Sequence, residues 1–507
     1  MPASSARQRA GLYGRLRLPQ AAPRHVASCA GHAGRRARME LDDRRHPRRR
    51  RGRARRALPH DPRRLWARDR MAHRRRAHAA PCRRSRRPRS RHRRARSRAA
   101  ARHVGEAMNA AWRRARRILC VRLDSVGDVL MTTPALRALK ESGEGRRLTL
   151  LTSRTGAALA AHLPMVDDVW TYDAPWVKHP DARGDPVADL DMIDRLLAGR
   201  FDAAVIFTVY SQNPLPAAMM CWLAGIPLRL AHCREKPYEL LTDRVPESEP
   251  ESHVRHEVAR QLALVRAVGA TTSNWRMAFE PGDAARHAVT ARLGATLQRI
   301  GGLRRPGAPS ARWLVVHPGA SAASRRWPAE RFGEVAASVA PLFDGIAVTG
   351  SDSERGLVDA VCARAGPRAV PLAGALSLGE LGALIETADL LLSNNSGPVH
   401  LAAALGTPVV DLYALTNPQH TPWRVPHRVL NVDVPCRNCY RSVCDQPGHP
   451  CLREVSVDDA VAAVHALLRG RMRHARRAAV RAAMQCDGPV EASTSNVIPF
   501  APAITRS

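Results

Sequence analysis

Residues 390–410, LLLSNNSGPVHLAAALGTPVV, constrain this chain more than any other stretch. Residues 388–392 have the length and apolar character of a buried strand. The run ends in small polar residues, and Pro398 follows where a helix can begin, because proline lacks the N–H that the first helical position leaves free. Residues 400–405 read as an Ala-rich helix, Gly406 as its stop, and residues 407–410 as the start of another buried strand. A strand, a Gly/Ser turn and an exposed helix N-terminus form an anion site, since free backbone N–H groups and the positive end of the helix dipole aim at one place. An ordinary βαβ turn with a Ser/Asn cap would carry the same pattern.

Such units recur along the chain. Order is expected from Arg116, with a strand at 118–123, a turn at 124–128 and a helical apolar face through Leu130, Leu136 and Leu139. Further strands are expected at 148–151, 169–172 and 203–208, and helices at 192–197, 215–223, 256–268 and 283–300. The Gly/Pro-rich run 301–310 reads as a linker. The pattern then restarts with strands at 313–317 and 345–349 and helices at 329–340, 378–386 and 457–468. Alternating strands and helices imply parallel sheets. The expected fold class is therefore α/β, two doubly wound Rossmann-like domains facing across a cleft, with a disordered Arg-rich N-terminal extension. The expected boundaries are an extension at 1–107, an acceptor-side domain at 108–300, a linker at 301–311, a nucleotide-sugar-binding domain at 312–470 and a basic helix with a disordered tail at 471–507.

Charge is confined to one end. The net charge is +36 over 507 residues, but residues 1–107 hold 35 Arg, no Lys and six acids, a net of +29, which leaves +7 for the rest. Arg outnumbers Lys 78 to 3, a bias that points to a GC-rich coding sequence. The extension repels itself and cannot bury a core. Its readings are an over-extended gene start ahead of Met108, a basic arm touching RNA or anionic lipid, and a targeting peptide. No window approaches the roughly 18 apolar residues of a membrane span, so the body is expected to be soluble and cytoplasmic.

Three loops follow strands in the second half and land on one sheet edge. They bring His317, Gly319 and Ser321; Gly350 and Glu354; and Asn395, Ser396, Gly397 and His400. Backbone N–H groups, hydroxyls and a carboxylate suit a nucleotide diphosphate and its ribose. Arg325, just past the first loop, can offset the diphosphate charge or simply stand at a solvated helix entry. The glycine patterns of a P-loop and of a dinucleotide fingerprint are missing, which weakens ATP hydrolysis and hydride transfer. In the first half Asp128 follows Gly127 at a strand-to-helix turn, where a carboxylate can serve as a general base or as a helix-capping acid; Asp124 competes with it. Asp189 and Asp191 form a DxD pair on an acidic helical segment, where a solvated face is the simpler reading. Cys436, Cys439, Cys444 and Cys451, with His449 beside them, fit a metal site, a reduced structural cluster or disulfides.

Several of these stretches together resemble glycosyltransferase family 9, the heptosyltransferases of lipopolysaccharide core synthesis, which have the two-domain GT-B fold. The resemblance covers residues 116–468. It is carried by ILCVRLDSVGDVLMTTPALRAL at 118–139, VVHPGASAASRRWPAERF at 315–332, residues 393–408 and the spacing of the four cysteines. It implies inverting sugar transfer from a nucleotide-diphosphate donor, with Asp128 as the base and neither metal nor other cofactor required. An ADP-sugar is the expected donor. The expected partners are a glycan or glycolipid acceptor and, peripherally, the inner membrane face; nucleic acid is not expected. Arg325 stands where the family usually has Lys, and Asn395 where it usually has Asp, so the donor sugar stays open. The rival readings are a nucleic-acid-binding protein acting through the Arg-rich arm and a GT-B nucleotide-sugar epimerase.

Overall fold

The computed structural model describes residues 110–177, 185–300 and 311–484, with side chains up to residue 470. The N-terminal extension before residue 110, the linker at 301–310 and the tail from 485 lie outside the described residues.

The first half is a six-stranded parallel sheet. Its strands are β1 (Arg117–Arg122), β2 (Arg147–Thr152), β3 (Asp168–Thr171), β4 (Ala203–Ile206), β5 (Leu228–Cys233) and β6 (Asp243–Pro246), in the order β3-β2-β1-β4-β5-β6. The second half repeats that order. Its strands are β7 (Trp313–His317), β8 (Gly345–Gly350), β9 (Ala369–Ala373), β10 (Leu390–Asn394), β11 (Val409–Leu412) and β12 (His427–Leu430), running β12-β11-β10-β7-β8-β9. Each sheet reverses direction once, between β1 and β4 and between β7 and β10. At these switch points the loops diverge and open a crevice beyond the strand ends.

Among the described residues ten longer helices flank the sheets: α1 (Val126–Glu141), α2 (Pro186–Gly199), α3 (Leu215–Leu223), α4 (Glu257–Arg266), α5 (Asp283–Arg299), α6 (Ala329–Val339), α7 (Arg355–Ala365), α8 (Leu378–Thr387), α9 (Gly397–Leu405) and α10 (Val457–Met484). Shorter helical turns are not numbered. The two-residue period of β1 divides its side chains between the faces. Leu119, Val121 and Leu123 pack with Met192 and Leu196 of α2 and Met220 of α3. Ile118 and Cys120 join the opposite cluster with Val258 of α4, and that cluster continues into the second half through Leu384 of α8 and Val399 and Leu401 of α9. Arg122, the last residue of β1, shares the face of Ile118 and Cys120 and so ends up against α4.

Order begins earlier than Arg116. Residues 110–114 are helical, and Trp112 is buried, its indole N–H donating to Asp243 at 2.9 Å. The expected break between helices near residue 470 is absent, because α10 runs unbroken from Val457 to Met484. No described helix is long and apolar enough to cross a membrane.

Candidate functional site

The site is centred on Arg122, whose side chain is fully buried. Its Nε lies 3.1 Å from Asp124 Oδ2, its Nη1 3.0 Å from Glu257 Oε1 and its Nη2 3.2 Å from Asp128 Oδ1. One guanidinium therefore serves three carboxylates, and its planar fork is suited to such sharing. Asp128 stands in the first turn of α1. Its Oδ2 accepts the Ser125 N–H at 3.2 Å and the Ser125 hydroxyl at 2.7 Å, while Oδ1 accepts from Arg122. The Oδ2 bonds realise the helix-capping role read from its sequence position.

The two aspartates differ in their protonation. Burial would push Asp128 up, but Arg122 first, then His420 and the Ser125 hydroxyl, hold it below the usual carboxylate range. Burial dominates at Asp124, which lies well above that range despite Arg122 and a 2.6 Å hydrogen bond from Gln212. In a carboxyl cluster richer in acids than in cations, one member becomes easier to protonate than its neighbours.

The second half presents the opposite wall. Ser396 caps α9, and its hydroxyl donates to the Asn394 carbonyl at 3.1 Å. His400 is buried, with Nδ1 unpartnered, and packs so closely on α1 that a methyl at Gly127 would lie 2.7 Å from its Cδ2. A methyl at Gly397 would meet Val126 only at ordinary contact distance, 4.0 Å. The N-termini of α1 and α9 thus converge. Arg325 is near enough to His400 and His420 to disfavour their protonation, and its guanidinium makes no hydrogen bond or ion pair with the described residues.

Asn395 is turned inward. Its amide nitrogen donates to Asp411 Oδ2 at 3.0 Å and to the His420 carbonyl at 2.9 Å. Asp411, at the end of β11, is pushed by burial up to about 8, opposed by the Asn395 hydrogen bond. An aspartate at 395 would place two carboxylates face to face here, so the amide fits its neighbour. The remaining loop residues form the outer part of this wall. Burial keeps His317 neutral, and its Nδ1 is 3.0 Å from the Thr349 hydroxyl. Glu354 caps the turn after Gly350 through bonds from the Ser351 N–H and hydroxyl, both 2.9 Å. Its other oxygen fills the space where Gly319 would carry a Cβ. Ser321 is exposed at the loop tip.

Residues 413–426, between β11 and β12, cross to the first half. Gln419 donates to Glu249 at 3.0 Å, its carbonyl accepts the Glu257 N–H at 3.1 Å, and the Trp423 indole donates to the Trp275 carbonyl at 2.7 Å. This loop carries His420 to a point where Nε2 is 4.0 Å from Asp128 Oδ1. Sequence reasoning missed Arg122, Glu257, Asp411 and His420. Only the doublet of Arg122 and Asp124 beside the Gly127 turn carried a local signal.

The cysteine segment braces this loop. Asn438 and Tyr440 donate backbone N–H groups to Leu415 and Thr416, and the Arg441 carbonyl accepts the Ser324 hydroxyl at 2.6 Å, next to Arg325. The four thiols are free, with Cys451 buried in the second half's core. No group of three or more His, Cys, Asp or Glu among the described residues is arranged to hold a metal. Asp189 accepts the Tyr172 hydroxyl at 2.7 Å and Asp191 is exposed, away from the crevice. A polar cavity of about 130 Å³ is lined by Asn213, His232, Arg234, Glu247 and Gln212, the residue that donates to Asp124, among others.

A sequence profile of glycosyltransferase family 9 (heptosyltransferase) matches residues 190–449, just over half of the chain. The chain belongs to glycosyltransferase family 9. It is a glycosyltransferase, and its α/β fold of two parallel sheets agrees with solved family 9 structures. A family 9 member from Veillonella parvula DSM 2008 superposes with a TM-score of 0.56 at 20% identity, covering 70% of this chain and 97% of that one. The ADP-heptose lipopolysaccharide heptosyltransferase II of Escherichia coli gives 0.53 at 20%, covering 70% and 99%. Among sequences, a lipopolysaccharide core heptosyltransferase of Haemophilus influenzae is 36% identical over 110 residues, 21% of this chain and 32% of that protein. The chain thus aligns with only about a third of that relative. Lipopolysaccharide heptosyltransferase 3 of E. coli is 23% identical over 316 residues, 59% of this chain and 83% of that protein.

Proposed function

We propose that this family 9 enzyme transfers a sugar, with inversion, from a nucleotide-diphosphate donor in the second half to a hydroxyl of a lipopolysaccharide-core glycan or related glycolipid. Asp128 is the base. The observation that carries this reading is the position of Asp128, paired with Arg122 on one wall of the crevice while the N-terminus of α9 and Arg325 stand on the other. A base on one side and a stabilised leaving group on the other favour a single in-line displacement, which inverts the anomeric carbon. The α9 N-terminus and Arg325 offset the charge that grows on the departing diphosphate, so no metal is needed for that task. Names of relatives support an ADP-sugar as the first donor to try and the lipopolysaccharide core as the acceptor. The polar cavity lined by Gln212, rich in amide and charged groups, suits the hydroxyls of an acceptor glycan.

The test is product formation from a panel of nucleotide sugars by the wild type and two variants. Asp128→Asn is expected to lower kcat by about 100-fold or more, the usual range for loss of a positioned base, with donor affinity little changed. Asp124→Asn is expected to cost less than about tenfold, since Asp124 is tied to Arg122 and Gln212. The reverse ranking would make Asp124 the base. Wild-type activity should persist in excess EDTA; abolition reversed by Mg²⁺ or Mn²⁺ would refute the metal-free mechanism.

We place the reaction at the inner membrane face, where a glycolipid acceptor would lie. Support comes from exposed apolar side chains on neighbouring helices, Val187, Leu190 and Leu197 on α2 and Met219, Trp222 and Leu223 on α3. Sedimentation with liposomes should fall when Trp222 and Leu223 are replaced by Ser; equal sedimentation of both proteins would remove this part of the reading.

A further inference from the structure

We propose that His420, brought in by the loop after β11, completes the base as a proton relay: Asp128 Oδ1 takes the proton of the acceptor hydroxyl and passes it to Nε2 of His420. The proposal rests on the reading of Asp128 as the base.

Three observations carry it. First, Nε2 of His420 is buried without a hydrogen-bond partner and lies 4.0 Å from Asp128 Oδ1. A buried imidazole nitrogen left unpaired is costly, and such groups in a folded protein call for an explanation. Second, the loop that carries His420 is fixed across the crevice by Gln419 on Glu249 and the Glu257 N–H, and by the Thr421 carbonyl 2.8 Å from His256 Nε2. Its position is built rather than incidental. Third, Asp128 is bonded by Arg122 and twice by Ser125, all of which favour its ionised form. Such a carboxylate is a weak base, and a proton left on it would oppose the Arg122 pairing. A neutral imidazole next to it gives the proton a better resting place.

The groups facing His420 suit that task. Asp128 and Glu257 of the first half favour its charged form, while Arg122 and, from the second half, Arg325 disfavour it. His400 lies edge-on at 6.3 Å, the His256 ring faces the same space, and on its own loop the backbone N–H of His420 donates to the Tyr413 hydroxyl at 3.4 Å. Burial, the largest influence, keeps the imidazole neutral before reaction. As the acceptor oxygen bonds to the anomeric carbon, the bond from that carbon to the diphosphate breaks and its electron pair leaves on the diphosphate. The proton moves from the acceptor oxygen to Asp128 Oδ1 and then to His420 Nε2. The outcome is an imidazolium beside a carboxylate, which releases its proton to water once the product leaves.

The experiment compares wild type, His420→Gln and Asp128→Asn in the full chain from pH 5 to 9. For His420→Gln, kcat is expected to fall about 10- to 100-fold with the donor KM within about twofold. The acid limb of the wild-type kcat profile, caused by His420 protonated before reaction, should disappear. Unchanged kcat and an unchanged acid limb would overturn the relay while leaving the base in place. An active Asp128→Asn would overturn the base itself, whatever His420 does. A second measurement needs no turnover: NMR titration of the His420 imidazole. In Asp128→Asn it should protonate at lower pH than in wild type, because the favourable carboxylate is gone. An unchanged titration would show that the two groups are uncoupled and would overturn the relay.

Discussion

At the scale of single residues the site is governed by how few cations meet how many carboxyls. Arg122 supports three acids, and the shortage of cations leaves Asp124 much easier to protonate than Asp128. A second buried acid, Asp411, follows the same rule with an amide in place of a cation. Its folded-state value of about 8 lies above the unfolded value of about 3.9. Between those values the native state holds a proton that the unfolded chain has lost, so stability falls as pH rises from about 4 to 8. Asp411→Asn keeps an oxygen to accept from Asn395 and removes the titration. Its melting temperature should therefore depend less on pH than that of wild type, with the gap in its favour growing to several degrees by pH 8. Parallel melting curves for the two proteins across that window would show that Asp411 is ionised in the fold.

At the scale of elements the closest packing in the site is α1 against α9. Gly127 is required there because His400 occupies the space a side chain would take. Gly127→Ala is expected to destabilise by about 1–3 kcal/mol through overpacking and to lower kcat by separating the two helix N-termini. Gly294→Ala on α5, where a methyl meets nothing, is the control and should be neutral or slightly stabilising. If Gly127→Ala behaves like the control, the close approach has no energetic weight. This junction was half legible in the sequence. Asp128 and His400 lie in the first turns of helices that closely follow apolar strands, so local pattern alone placed them near strand ends. Arg122 and Glu257 are 135 residues apart, and nothing local links them. The strands the pattern missed have particular causes. β5 carries Arg229 and His232, whose polarity breaks the apolar run. The Arg229 guanidinium is nevertheless satisfied by the carbonyls of Ile226, Glu239 and Leu240. β9 contains Pro371, tolerated because that strand is at the sheet edge. In α10 a lone Gly470 lies inside the helix, but a single glycine lowers helix stability by only about 1 kcal/mol and the helix continues.

At the scale of the whole molecule, the repeated strand order brings two switch points to one crevice, and the loop of residues 413–426 joins the walls. Nothing in the local sequence marks that region, since its contacts lie on the other half. Gln419, Thr421 and Trp423 bond to Glu249, His256 and Trp275, and the Trp423 ring lies 4.4 Å from that of His256. The loop therefore couples the stability of the two halves to the geometry of the site, because the same residues that dock it also place His420 beside Asp128. Replacing Trp423 by Ala removes a ring contact and one hydrogen bond, and Gln419→Ala leaves Glu249 with one donor fewer. Each change is expected to cost about 1–3 kcal/mol, or roughly 2–4 °C per kcal/mol for a chain of this size. Calorimetry of the double variant should show a lower transition, or one that splits as the halves unfold separately. The decisive comparison is with kcat at a temperature where both proteins remain folded. If docking serves the site, the double variant loses turnover there while still binding donor through Arg325 and α9. Full turnover with an undocked loop would mean that the crossing contacts stabilise the fold and nothing more.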